Sequence, residues 1–235
     1  MNRLSNPFRD LTVFERRLWA ASMAAVVLSY VLAGGGDPLS LTASLIGVTA
    51  LIFLARGYVI GQVLIVVFSL FSGLISYRVR YYGEMITYLG MTTPTAMAAV
   101  VSWLRHPYQG TREVEVSRLT RGQKVFLAAS TVLVTALFGW ILRVMGTANL
   151  IPSTVSVTTS YLASALTYFR SSWYALGYAA NDVVLVVLWV LAAMEDPTCL
   201  AMVVCFLVFL VNDLYGFLSW RKMQRRQEDQ SSSIS

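Results

Sequence analysis

Asn212-Asp213-Leu214-Tyr215-Gly216-Phe217-Leu218-Ser219-Trp220-Arg221-Lys222 closes the last long apolar run of this chain. An amide, a carboxylate and a phenol stand at the inner end of a hydrophobic stretch, and two cations follow at once. Polar groups inside hydrocarbon are costly unless they face protein, water or a ligand. The segment therefore reads as a membrane helix lining a cavity, and the function is expected in that cavity.

Composition agrees. Hydrophobic residues make up 57% of the 235 and charged residues 13%, with a mean hydropathy of +0.63. A soluble domain is roughly half apolar and a quarter charged. The chain is thus an all-α polytopic membrane protein with no room for a separate soluble domain. Its net charge of +6 is confined to short loops and the two tails, which is a topology signal and not a nucleic-acid one. Cys199 and Cys205 point to different faces of one helix and cannot pair; they read as small core residues. His106 has no second imidazole or thiolate pair at ligand spacing, so no metal and no cofactor is expected.

Runs of about 20 apolar residues, enough to cross a bilayer, fall at 18–34, 39–56, 58–78, 81–104, 125–145, 154–169, 173–194 and 197–220. The second and sixth are short and rich in Ser and Thr, which suits helices facing other helices. With a cytoplasmic N-terminus, fifteen cations fall inside, against only Arg78, Arg80 and Arg143 outside, where the acidic Glu195-Asp196 also lies. That asymmetry is what the positive-inside rule requires, and it puts both termini in the cytoplasm. Arg16-Arg17 followed by an apolar stretch resembles a signal peptide, but seventeen residues make a long leading region, so the first span is expected to stay. The loop 105–124, broken by Pro107 and Gly110, reads as a solvated topology determinant. From Gln224 onward apolar periodicity is absent, and the tail 224–235 is expected to be disordered.

Two parts of the chain echo each other. Arg56-Gly57-Tyr58-Val59-Ile60-Gly61 opens one span and Arg170-Ser171-Ser172-Trp173-Tyr174-Ala175-Leu176-Gly177 another; Ser102-Trp103-Leu104-Arg105 and Ser219-Trp220-Arg221-Lys222 end two more. The offsets are 116 from Gly61 to Gly177 and 117 from Trp103 to Trp220. This predicts a three-helix unit at 36–105 duplicated at 151–223, joined by a loop and linker helix over 106–150, behind an extra helix within 1–35. One connecting helix keeps the two units parallel, with substrate bound between them near the midplane.

The polar residues within the spans supply the expected pocket. Asp182 and Trp189 share a face of the seventh span, and Asn212, Tyr215 and Ser219 share one of the eighth. Pro94, within Thr92-Thr93-Pro94-Thr95, should kink the fourth span. The third adds Gln62, Ser69 and Ser72, and the sixth Thr158, Thr159 and Tyr161. The predicted lining is Gln62, Thr92, Thr93, Asn181, Asp182, Trp189, Asn212 and Tyr215. Asp182 and Glu84 are the main intramembrane acids, and this set contains no Lys or Arg to clamp a phosphate. Amides, hydroxyls and an indole suit a neutral or cationic polar molecule with an aromatic ring. A lone Ser or Thr in such a span is more simply a helix-packing contact.

Five stretches resemble the PnuC family of vitamin transporters: Tyr82-Gly83-Glu84-Met85; Gly90-Met91-Thr92-Thr93-Pro94 through Ser102-Trp103-Leu104-Arg105-His106-Pro107-Tyr108; Ser156-Val157-Thr158-Thr159-Ser160; Ala179-Ala180-Asn181-Asp182-Val183-Val184; and Asn212 through Trp220. The resemblance spans roughly 55–223 and leaves the first helix outside. It implies a three-plus-one-plus-three fold similar to the SWEET sugar carriers, in a bacterial cytoplasmic (inner) membrane. It also implies uptake of nicotinamide riboside without ATP hydrolysis, a cytoplasmic riboside kinase trapping the substrate. Asn and Trp side chains line the site in such carriers; Trp189 and Asn212 keep that pattern, while Thr95 and Ala96 replace it in the first repeat. Thiamine, riboflavin and deoxynucleosides are alternative substrates within the family. The partners implied are the small-molecule substrate, the bilayer and the kinase, with a homo-oligomer left open.

Two other classes compete. A membrane-embedded enzyme would need paired carboxylates, a Ser/His/Asp set or metal ligands, none of which the sequence offers. A substrate-binding subunit of an ATP-driven importer would not carry flux by itself.

Overall fold

A computed structural model describes residues 6–35, 37–78, 85–147, 149–195 and 199–232. Among them are eight long helices: α1 (Val13–Leu32), α2 (Pro38–Ala55), α3 (Val59–Arg78), α4 (Thr93–Arg105), α5 (Arg121–Val144), α6 (Leu150–Tyr168), α7 (Tyr174–Glu195) and α8 (Leu200–Ser232). Arg3, Arg80, Tyr82-Gly83-Glu84, Asp196 and the last three residues lie outside the described residues.

Local chemistry sets the helix starts. Thr12 and Thr120 each open a helix with a reciprocal cap, the first with Glu15 and the second with Gln123. Asp37 caps α2 with Pro38 in its first turn, where a missing N–H costs nothing. The α2–α3 and α6–α7 turns end their helices in the same way. Gly57 and Arg170 are both left-handed, with φ of 68° and 56°. The next N–H in each turn reaches five residues back, Tyr58 to the Phe53 carbonyl at 3.0 Å and Ser171 to the Leu166 carbonyl at 2.9 Å. These turn residues are 113 apart, whereas the glycines that follow are 116 apart, because the second turn is longer before its helix begins.

Five helices, α2, α3, α5, α7 and α8, are long and apolar enough to cross a membrane. The other three have identifiable reasons for falling short. α1 starts with Glu15, Arg16 and Arg17, α6 carries a run of Ser and Thr, and α4 is only 13 residues long. The second span, expected to face other helices, is the most buried of the five. α4 is entered through a π turn at Thr87–Thr92, so the strain expected from Pro94 is taken up by widening. Thr93 Oγ1 donates to the Tyr88 carbonyl at 2.9 Å and Thr95 Oγ1 to that of Met91 at 2.8 Å, which covers carbonyls in the disturbed turn.

The helix contacts form a closed ring. α2 packs on α3, α3 on α4, α4 on α6, α6 on α7, α7 on α8, and α8 back on α2. α1 lies against α2 and α8, and α5 against α6. Glycines permit two of the closest approaches: a Cβ on Gly61 would sit 2.7 Å from the Leu54 backbone nitrogen, and one on Gly177 3.1 Å from Ala163. In this ring α3 and α7 occupy opposite positions.

The C-terminal segment corrects the sequence reading. α8 continues as helix to Ser232, with Gln224 and Gln227 buried. The loop expected to be solvated is the reason. Gln227 accepts the Val116 backbone N–H at 2.9 Å and donates to the Val114 carbonyl at 3.1 Å, while Arg118 forms a bidentate pair with Glu228 at 2.7 Å.

Candidate functional site

At the end of the ring where Asp10 and the last turns of α8 lie, three aromatic side chains form a plug. Trp103, Trp220 and Tyr174 are each at most 1% exposed. The Trp103 and Trp220 rings lie 5.3 Å apart, and Tyr174 meets Trp220 edge-on at 4.7 Å. The Trp103 indole N–H donates to the Thr167 carbonyl at 2.9 Å, and that of Trp220 to the Leu54 carbonyl at 2.7 Å. Each indole is thereby fixed by a buried bond that water cannot replace.

Farther along the ring, α3 and α7 bury polar faces. On α3 these are Gln62, Ser69, Ser72 and Ser76. Ser69 shares a 2.8 Å hydrogen bond with Thr93 of α4. Thr92, in the π turn, donates back to the Thr87 carbonyl at 3.3 Å. On α7, the Asn181 Oδ1 accepts from Ser156 at 3.1 Å and Thr159 at 2.9 Å, both on α6. Tyr178, one turn away, shares a 3.0 Å bond with Ser164. Trp189 is half-buried against the main apolar core.

Asp182 is 4% exposed, and its Oδ2 is buried without a donor. Its neighbour across the α7–α8 contact is Asp213, itself 5% exposed. Sequence reading passed over Asp213 in favour of Asn212, although Asn-Asp occurs at both 181–182 and 212–213 and signals the pairing. Among the described residues, the buried ionisable chains in spans are acids, with no buried Lys or Arg.

Asn212 and Tyr215 are placed differently from the rest of the predicted set. The Asn212 Nδ2 donates to Ser22 Oγ of α1 at 2.9 Å and to the Val208 carbonyl at 2.8 Å. The Tyr215 hydroxyl donates to Glu15 Oε1 of α1 at 2.9 Å, beside Arg56. These two face the first helix, while Gln62, Thr93, Asn181 and Asp182 are buried among the ring helices. The Asn212 Oδ1 is buried without a partner. Two cavities, of about 610 Å³ and 330 Å³, open along α1 and α8 and are lined by residues such as Leu28, Ser29, Ala33 and Ala201. None of the predicted site residues lines them.

A family model described as nicotinamide mononucleotide transporter matches residues 37–222. The chain belongs to this family. It is a family of transporters and not of enzymes, and its members are multi-pass membrane proteins. The nicotinamide riboside transporter PnuC of Neisseria mucosa is 26% identical over 225 residues, covering 93% of this chain and 78% of that protein. A crystal structure of the vitamin B3 transporter PnuC superposes with a TM-score of 0.77 at 22% identity, covering 92% of this chain and 94% of that one. At that identity the match establishes a shared fold. The resemblance read from the five sequence stretches is thus borne out.

Proposed function

We propose that this chain is a facilitative carrier of nicotinamide riboside, with both termini in the cytoplasm of a bacterial inner membrane. In this reading all eight helices cross, α2–α4 and α6–α8 are parallel repeats, α5 links them, and α1 is an addition. The reciprocal indole bonds support the repeat: the third helix of each unit donates to the end of the first helix of the other.

The family description names a mononucleotide and the Neisseria relative a riboside, and the two differ by one phosphate. The observation that favours the riboside is the lack of a buried cation among the described residues of the ring. Asp182 and Asp213 are buried there without a buried Lys or Arg among the described residues. A phosphate would lose its hydration there and find no cation to replace it. A riboside offers a cationic ring and hydroxyl donors, and both the unpaired Asp182 oxygen and the half-buried Trp189 indole suit that chemistry. The proposed lining is Gln62, Thr92, Thr93, Asn181, Asp182 and Trp189 with Asp213 added, while Asn212 and Tyr215 bound the site from the α1 side. Net uptake then follows from phosphorylation by a cytoplasmic kinase, since the charged product cannot return.

Calorimetric titration of the purified protein tests this. Riboside is expected to bind, and mononucleotide to bind at least tenfold more weakly. Equal affinity for the two contradicts the reading. Tighter binding of thiamine or riboflavin than of riboside would shift the substrate within the family.

A further inference from the structure

The segment after α4 crosses the end of the ring where Asp10 and the last turns of α8 lie. It bonds to both left-handed turn residues: the Val114 N–H donates to the Gly57 carbonyl at 3.0 Å, and the Ser117 N–H to the Arg170 carbonyl at 3.0 Å. Arg170 Nε returns a bond to the Glu115 carbonyl at 3.1 Å. One short strap therefore spans the α2–α3 and the α6–α7 turns, which lie on opposite sides of the ring.

The end of α8 holds this strap down. Gln227 acts like a strand neighbour, bonding the strap backbone on both sides of Glu115. Gln224 accepts from Ser172 in the second turn at 2.7 Å. Arg226 pairs with Glu113 and Arg118 with Glu228. The N-terminal segment adds Asp10, which takes Arg112 at 2.9 Å. Gln224, Gln227 and Glu228 all lie past residue 222, where the family match ends.

We propose that the C-terminal extension of α8 is a latch, which keeps the strap across the two turns and so holds the tail end of the ring closed over the Trp103–Trp220 plug. Moving α2–α4 away from α6–α8 at this end must break the strap at one turn as well as both indole bonds. The last two turns of α8 thus set how readily that end opens. The inference rests on the reading of the chain as a carrier that opens to each side in turn.

The test joins the latch to the strap. In a protein with Cys199→Ala and Cys205→Ala, Arg118→Cys and Glu228→Cys are bridged by a bifunctional thiol reagent with a reducible linker. Both positions are on the surface, so folding is not at stake. Riboside counterflow in liposomes is expected to slow at least tenfold when bridged and to recover on reduction. Bridged protein that exchanges at the unbridged rate overturns the latch. A second measurement needs no substrate: Gln227→Ala should raise tail-side maleimide labelling of Ala99→Cys, one turn below Trp103, about tenfold, as two lost hydrogen bonds imply. Unchanged labelling there also overturns the latch. A protein that labels as expected but carries no riboside contradicts the proposed function instead.

Discussion

Trp103 and Trp220 are linked by exchange: each donates its indole N–H to the first helix of the opposite half, and their rings meet at 5.3 Å. The two bonds are close to interchangeable, at 2.9 Å and 2.7 Å, although their acceptors, Thr167 and Leu54, are 113 residues apart and the indoles 117. Removing either N–H should therefore have a similar effect. Trp103→Phe and Trp220→Phe are each expected to destabilise by about 1 kcal/mol, from one lost buried hydrogen bond. Replacement by Ala should cost about 3–5 kcal/mol. Unfolding in detergent checks both, and a large asymmetry between the two Phe variants would argue against equivalent roles.

The glycine pair gives a second comparison. An added Cβ at Gly61 meets backbone at 2.7 Å and 3.0 Å, where nothing can swing away. At Gly177 the nearest atoms are at 3.1 Å, within reach of a small helix shift. Gly61→Ala should destabilise by roughly 1–3 kcal/mol and Gly177→Ala by less. Unfolding midpoints in detergent would show the order, and a reversed order would contradict the packing.

The eight helices were legible in the sequence because apolar run length and cation placement both report on a bilayer. Gly61, Gly177, Trp103 and Trp220 carry the repeat proposed for this chain, although one constant offset does not describe their spacing, since the turn before α7 is longer. Two things were hidden. Residues 224–232 have no apolar stripe; they are helical because Gln224 and Gln227 find polar partners on the second turn and the strap, a tertiary effect that periodicity does not carry. Helical spacing also placed Asn212 and Tyr215 on one face, and they do share one. It could not tell which neighbour that face meets, and α1, outside the expected core, supplies Ser22 and Glu15.

That difference separates two groups of variants. Asp182→Asn and Trp189→Ala should weaken riboside binding, the second by about 1–3 kcal/mol through lost ring contact. Tyr215→Phe and Ser22→Ala should instead lower stability by about 1 kcal/mol each, with little change in affinity. Calorimetry and thermal unfolding on the same four proteins would separate the groups. Affinity loss in Tyr215→Phe as large as in Trp189→Ala would move the site toward α1.

Salt and pH should act differently on the tail end. The Arg118 guanidinium, hydrogen-bonded to Glu228, holds that carboxyl down at about 2. A depressed carboxylate contributes fully above its usual value near 4.3 and loses its effect only as pH falls through the lowered one. Between pH 5 and 8 tail-side labelling of Ala99→Cys should therefore be flat with respect to this pair. Raising salt to about 1 M shrinks the screening length to roughly 3 Å and should increase labelling modestly, because the pair is exposed while the Gln227 bonds are not. A steep pH dependence in that window would implicate another group.

The central claim is passive carriage of the riboside with rejection of its phosphate. Its most direct test is counterflow in liposomes preloaded with unlabelled riboside, with no ion gradient, ATP or other protein present. Labelled riboside should accumulate transiently and labelled mononucleotide should not. Comparable exchange of the mononucleotide, or a strict requirement for a proton or Na⁺ gradient, would contradict the account.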